Sequence, residues 1–183
     1  MNSTKKRAEY SIIETFLSLL AQMPIEKITV KKIVEATKIN RRTFYDYFYS
    51  KENLIDIIDT QILNDFQSIF GEFKETEIQH ARKLVEQRKP LPHNIAICEH
   101  IQQHQHYYLH RFKDEAFGHK FTQIITNYLA DLSQDTDTSM YLAYGTIGYL
   151  KNWLHSNCSK PISEVAIGLA NAGFHTVIRQ STT

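Results

Sequence analysis

Apolar residues along this chain return every three to four positions, and no strand-length stretch alternates strictly between apolar and polar. That period belongs to helices with one buried face. The first stripe covers Lys6 to Met23, where Ile12, Phe16, Leu20 and Met23 share a side. Pro24 closes it, because the residue before a proline is pushed out of helical geometry. Three closely spaced helix starts follow. Thr29, Asn40 and Ser50 are polar N-caps, each set inside an apolar pair: Ile28 with Ile33, Ile39 with Phe44, Tyr49 with Leu54. An N-cap oxygen accepts a free N–H of the first turn, and the apolar pair fixes the angle at which the chain enters the helix. The pattern predicts a second helix over Val30 to Thr37 and a third, of two turns, over Arg41 to Tyr47. A fourth should run from Lys51 to Phe73 on the stripe Ile55, Ile58, Ile62, Phe66, Ile69 and Phe73. Two short helices joined by so brief a turn have helix-turn-helix dimensions.

Lys89-Pro90-Leu91-Pro92 is the clearest interruption in the second half, and Ser156 to Pro161 marks the last turn. Helices are predicted between these breaks at about 75–88, 93–105, 106–113, 116–133, 137–156 and 162–179. The fold class is therefore all-α, with a small head over residues 1–51 and a helical body over 52–183.

Charge sharpens this division. The net charge is only +1, yet residues 1–51 hold ten Lys/Arg against five Asp/Glu, and residues 52–183 eleven against fifteen. A basic head on an acidic body suits a partner that is a polyanion at one end. On the third helix Phe44 and Phe48 should turn inward, leaving Arg41, Arg42, Thr43, Tyr45 and Tyr47 outward or oblique. Arginine forks onto guanine edges, while threonine and tyrosine hydroxyls reach phosphates. The free N–H groups at the starts of helices two and four, beside Thr29, Val30 and Lys51, are further seats for phosphate.

Residues 12–58, through Ile28-Thr29-Val30 and the run Asn40-Arg41-Arg42-Thr43-Phe44-Tyr45-Asp46-Tyr47-Phe48-Tyr49-Ser50-Lys51-Glu52-Asn53-Leu54, resemble the DNA-binding domain of the tetracycline-repressor (TetR) family. The stretch Tyr144 to Leu154 looks like the last-but-one helix of one subgroup of that family. The resemblance implies a helix-turn-helix DNA-binding domain followed by a helical ligand-binding and dimerisation domain. It implies DNA contacts from Thr29, Arg41, Arg42, Thr43, Tyr45, Tyr47 and Lys51. Double-stranded operator DNA, a second copy of the chain and a small-molecule effector are the partners it implies. The chain departs from the family pattern where glycine is usual before helix three and the turn reads Thr37-Lys38-Ile39-Asn40, and again at Met23-Pro24-Ile25. A lysine held at a left-handed angle costs roughly 1 kcal/mol more than glycine.

The body holds 14 of the 21 aromatic residues. Aromatics at helical spacing usually build core; Tyr107, Phe112, Phe121, Tyr144 and Trp153 are the candidates for lining a pocket. Gly145 and Gly148, with Leu169, Ala170, Gly173 and Val177, make small-sided helices that suit a four-helix bundle between two copies. His100, His104, His106 and His110 form two i, i+4 pairs that only a break near Gln105 could bring together; they are read as solvated or core-capping, and no metal or cofactor is assigned. Cys98 and Cys158 lack CxxC spacing and are read as separate, mostly buried thiols. No nucleophile elbow, GxGxxG, P-loop or HExxH motif is present, so catalysis is not expected. No apolar run nears the ~18 residues of a membrane span and no signal core follows the basic N-terminus, so a cytoplasmic bacterial protein is expected. The functional reading is a dimeric, ligand-responsive repressor; the alternative is a co-activator working through a protein partner.

Overall fold

A computed structural model describes the backbone of residues 2–71, 75–133 and 135–177. Its elements are α1 (Asn2–Leu20), a 3-10 turn (Ile25–Lys27), α2 (Val30–Thr37), α3 (Arg41–Tyr45), α4 (Lys51–Gln67), α5 (Glu75–Glu86), α6 (Pro92–Gln103), α7 (Gln105–Arg111), α8 (Glu115–Ser133), α9 (Thr136–His155) and α10 (Ile162–Val177). The fold is all-α, with no strand among the described residues. The chain divides into two compact units, Met1–Leu63 and Asn64–Thr183.

The first unit is built on the starts read from the sequence. Thr29 Oγ1 accepts from the N–H of Lys32 at 3.3 Å, Asn40 Oδ1 from that of Thr43 at 2.7 Å, and Ser50 Oγ from that of Asn53 at 3.1 Å. Ile28 and Ile33 are fully buried, as the first staple requires; in the second, Phe44 is fully buried and Ile39 half-buried. The third staple is not made. Leu54 is buried, but Tyr49 is 87% exposed, and its N–H instead donates to Asn53 Oδ1 at 3.1 Å. A polar bond from N3 back to the chain before the cap holds this start without the apolar contact. Ile12, Phe16 and Leu20 of α1 close the core with Phe48, Leu54 and Ile58.

Apart from α1, which begins at Asn2 and not at Lys6, helix ends differ from the reading more than starts. α1 stops at Leu20, three residues early, because the N–H groups of Gln22 and Met23 both fold back onto the Leu19 carbonyl. α3 stops at Tyr45, so Tyr47 sits in a turn, although the Phe48 N–H still reaches the Phe44 carbonyl at 3.0 Å. α4 stops at Gln67, where Ser68 Oγ donates to the Asp65 carbonyl and Phe70 turns back edge-on to Phe66 at 5.2 Å. Phe73 lies outside the described residues.

Lys38 takes φ 59° and ψ 38°, the left-handed conformation that usually belongs to glycine. Its N–H reaches the Val34 and Glu35 carbonyls, and the Ile39 N–H reaches the Val34 carbonyl at 3.1 Å. The turn thus keeps the shape of a glycine-capped helix end with lysine in the strained position.

In the second unit, α8 packs against α9, and α10 against both α6 and α9. Asn94, buried on α6, donates to the Ala166 carbonyl of α10 at 3.3 Å. Ala170 packs on Ala81, Val85 and Leu91. Close approach of α9 and α10 explains one glycine: a Cβ on Gly168 would stand 2.7 Å from the Tyr149 hydroxyl. No helix among the described residues is long and apolar enough to cross a membrane.

Candidate nucleic-acid interface and effector body

α3 presents the face that the sequence assigns to DNA. Phe44 and Phe48 are fully buried beneath it, which leaves Arg41, Arg42 and Tyr45 exposed, with Thr43 and Tyr47 half-buried at its margins. The N-cap and the inward phenylalanines help to hold so short a helix in place. Asn40 Oδ1 takes two bonds, from the Thr43 N–H and from the Thr43 hydroxyl at 2.9 Å, so one side chain fixes the first turn. Arg41 does not wave freely. Its Nη2 donates to the Tyr45 hydroxyl at 3.2 Å, and its guanidinium lies 5.6 Å from the Tyr45 ring centre. This i, i+4 pair shares a side of the helix, so the arginine fork is partly ordered before any ligand arrives.

The flanking residues are placed differently. Thr29 is exposed, Val30 half-buried, and the Thr29 hydroxyl is already engaged as the cap of α2. Lys51 is half-buried, and its Nζ donates to the Ile25 carbonyl at 3.2 Å, tying the 3-10 turn to the start of α4. Glu52, next in line, holds its carboxyl below the usual carboxylate range, chiefly through a backbone hydrogen bond and then through Ser50. The start of α4 therefore carries its own cap and its own negative charge, both of which compete with a phosphate there.

In the body, Phe112 and Phe121 come together, edge to face at 5.1 Å, and Phe117 links them to Tyr107 and Tyr108. Trp153 is buried apart from these rings and donates its indole N–H to the Lys160 carbonyl at 3.1 Å. Tyr144 is 56% exposed and lines no interior space. The inner side of α9 belongs instead to Leu142, Ala143, Ile147 and Leu150.

The residues assigned to a dimer also separate. Gly145 and Gly148 are exposed, and a Cβ on either would meet nothing within 4 Å. With Tyr141 and Tyr144 they form an outward stripe at i, i+3, i+4 and i+7. Leu169 and Ala170 are buried inside the protomer and Gly173 is half-buried, while the side chain of Val177 lies outside the described residues.

The break anticipated among the histidines falls at His104, whose φ of −106° and ψ of 24° separate α6 from α7. One of the two pairs that the spacing offered holds across it, with Tyr108 added to it. His100 faces His104 at 4.9 Å between ring centres, and its Nε2 shares a 2.9 Å hydrogen bond with the Tyr108 hydroxyl, whereas His106 is exposed. Burial, then the charge of His104, pushes His100 down to about 4, against an opposing pull from Asp65. Among the described residues no three metal-ligating side chains converge. Both cysteines are free: Cys98 is fully buried, which pushes its thiol up to about 12, and Cys158 is half-buried.

Comparison with known proteins places this geometry. Residues 12–57 match the family model described as bacterial regulatory proteins, tetR family. No curated protein matches the chain. Among solved structures, a dihydroxyacetone kinase operon activator, DhaS, is 18% identical with a TM-score of 0.66, covering 94% of this chain and 97% of its own. The regulator FadR of Bacillus subtilis, solved with stearoyl-CoA, is 15% identical with a TM-score of 0.61, covering 92% and 97%. The fatty acid degradation regulator FadR of Bacillus halodurans is 18% identical with a TM-score of 0.55, covering 91% and 94%. At these identities the likeness is one of fold.

Proposed function

We propose that the chain, whose residues 12–57 match the tetR-family model and whose fold is all-α, is a DNA-binding transcriptional regulator that acts as a dimeric, ligand-responsive repressor reading operator DNA through α3. The observation that carries this is the exposed row Arg41, Arg42 and Tyr45 over the buried Phe44 and Phe48. Arg41 and Arg42 lie in the first turn of α3, and recognition helices contact base edges with their N-terminal residues. Thr43 and Tyr47 border the same face and serve phosphates, together with Thr29 and Val30 at the start of α2. Lys51 can join them with the ammonium donors that its bond to the Ile25 carbonyl leaves over.

Dimerisation is assigned to α9 and α10. The outward Tyr141, Tyr144, Gly145 and Gly148 form an aromatic, small-residue stripe of the kind that helix backbones approach closely. A two-fold dimer implies a palindromic operator whose half-sites are spaced by one helical turn, about 34–36 Å, or a multiple of it. The effector is assigned to the body. FadR of Bacillus subtilis, of the same fold, was solved with stearoyl-CoA, which favours a ligand-responsive body here. The co-activator reading has one observation in its favour, that DhaS is named an operon activator.

Fluorescence anisotropy on the DNA upstream of the chain's own gene, against a scrambled duplex across a salt series, tests the proposal. Sequence-specific binding that falls steeply with salt is expected. Arg41→Ala and Arg42→Ala should each cost about 1–3 kcal/mol of discrimination at one base position. Equal, weak binding to both duplexes, or indifference to both substitutions, would refute direct readout and bring the partner-dependent activator forward.

A further inference from the structure

Among the described residues of the body lies a recess whose chemistry stands apart from its surroundings. It is a half-open cleft of about 230 Å³ between the end of α7 and the last turn of α9, lined by Leu109, Phe112, Lys113, Lys151, Leu154 and His155. Residues 52–183 are acidic as a whole, yet this lining holds two lysines, a histidine and no carboxylate. Among the described residues neither lysine has an ion-pair partner, although Arg111 and Lys160 nearby in sequence each pair with an acid three or four residues on. Lys151 is turned over the face of Phe112, with its ammonium 5.0 Å from the ring centre. His155 Nδ1 lies 2.6 Å from the Lys151 carbonyl and, as a donor, fixes its ring beside that lysine.

We propose that this cleft binds a small organic monoanion, an aryl or short alkyl carboxylate. Its charged end would lie between Lys113 and Lys151 and its apolar body on Leu109, Phe112 and Leu154. The inference rests on the ligand-responsive reading above for its regulatory meaning, but not for the binding itself. Size and charge both limit the ligand. An apolar cavity of about 150 Å³ holds benzene, so this volume takes one ring or a chain of similar bulk plus a carboxylate. An ammonium already over an aromatic face is partly desolvated, and a carboxylate meeting it forms a charge-assisted bond stronger than a neutral one. The neutral analogue of the same shape would lose that bond and leave the cations unpaired.

The test is calorimetric titration of the full chain with benzoate and hexanoate, beside benzyl alcohol and hexanol as uncharged counterparts. Saturable binding of a carboxylate, about tenfold or more tighter than its alcohol, is expected. Lys151→Met keeps the apolar stem and removes the charge; it should weaken carboxylate binding about tenfold and leave alcohol binding unchanged. Lys113→Met gives a second, independent removal of charge, so poor folding of one variant does not decide the matter. Failure of both carboxylates to bind, equal binding of acid and alcohol, or full carboxylate affinity in both lysine variants would overturn the proposal. Operator affinity measured with and without saturating benzoate keeps the two readings apart. A bound carboxylate that leaves operator affinity unchanged supports the site and counts against ligand-responsive repression through it.

Discussion

Replacing Lys38 by glycine should stabilise the protein, and the comparison with alanine shows why. Lys38 holds φ 59° and ψ 38° at the turn between α2 and α3. A side chain with a Cβ costs roughly 1–2 kcal/mol in that conformation, and glycine escapes the cost. Glycine also loses more freedom on folding, about 0.4–1 kcal/mol relative to alanine. The difference leaves Lys38→Gly ahead by about 0.5–1 kcal/mol. Lys38→Ala keeps the Cβ and the strain, and Lys38 is exposed, so little packing changes. The two variants differ only in backbone freedom, and both have lost the same cation beside α3, the proposed recognition helix. Thermal unfolding followed by circular dichroism should then place Lys38→Gly above Lys38→Ala by a few degrees, at about 2–4 °C per kcal/mol for a chain of this size. Operator affinities of the two should agree. An alanine variant as stable as the glycine variant would refute the reasoning, because it would mean that the turn does not hold the left-handed angle.

Two further outcomes follow from the same structure. Asn40→Ala removes the acceptor for both the Thr43 N–H and the Thr43 hydroxyl; it should cost about 1 kcal/mol of stability and weaken operator binding, measured by denaturant unfolding and by anisotropy, with Asn40→Asp retaining most of both. Stability should also fall with acid. His100 titrates near 4 when folded, against 6.5 as its ordinary value, so the unfolded chain takes up its proton first. The contribution is complete above about pH 6.5 and is lost progressively down to about pH 4. Urea midpoints between pH 7.5 and 4.5 should fall in the native chain and fall less in His100→Gln.

The beginnings of the helices were legible in the sequence because a beginning is local chemistry. Thr29, Asn40 and Ser50 each cap the N–H that their position dictates, whatever lies around them. Endings and contacts depend on neighbours that are distant in sequence. Tyr49 carries the sequence pattern of a staple, but the polar side chain of Asn53 reaches its N–H and the ring stays in solvent. α4 had apolar residues enough to continue to Phe73, yet Phe70 found its partner in Phe66 by turning back. The basic face of α3 was legible for the same reason as the caps, since Phe44 and Phe48 fix which side turns inward. The bond that Arg41 donates to the Tyr45 hydroxyl, which orders its guanidinium, was within reach of the i, i+4 spacing and was missed because each residue was weighed for DNA alone.

α9 shows where periodicity ceases to be informative. Its tyrosines, glycines and aliphatics all recur at helical spacing, so the sequence offers Tyr144 as readily for the interior as for the surface. Packing decides: Ala143, Ile147 and Leu150 take the inner side, and Tyr141, Tyr144, Gly145 and Gly148 are left outside. Continued by i+3 and i+7, the outward row from Gly148 reaches Lys151 and His155, two of the residues that line the carboxylate cleft. The proposed dimer stripe and the proposed ligand cleft therefore occupy successive turns along one side of a single helix. A ligand that draws Lys151 off the Phe112 ring acts on the helix that carries Gly145 and Gly148, one to two turns away. Coupling between ligand and subunit arrangement then needs no more than a small rotation or shift of α9, of the size that helices at subunit interfaces make in regulated proteins. Gly145 and Gly148 could be picked out for the stripe from the chain alone, but the cleft could not, because residues 109–113 and 151–155 become neighbours only when α7 packs against α9.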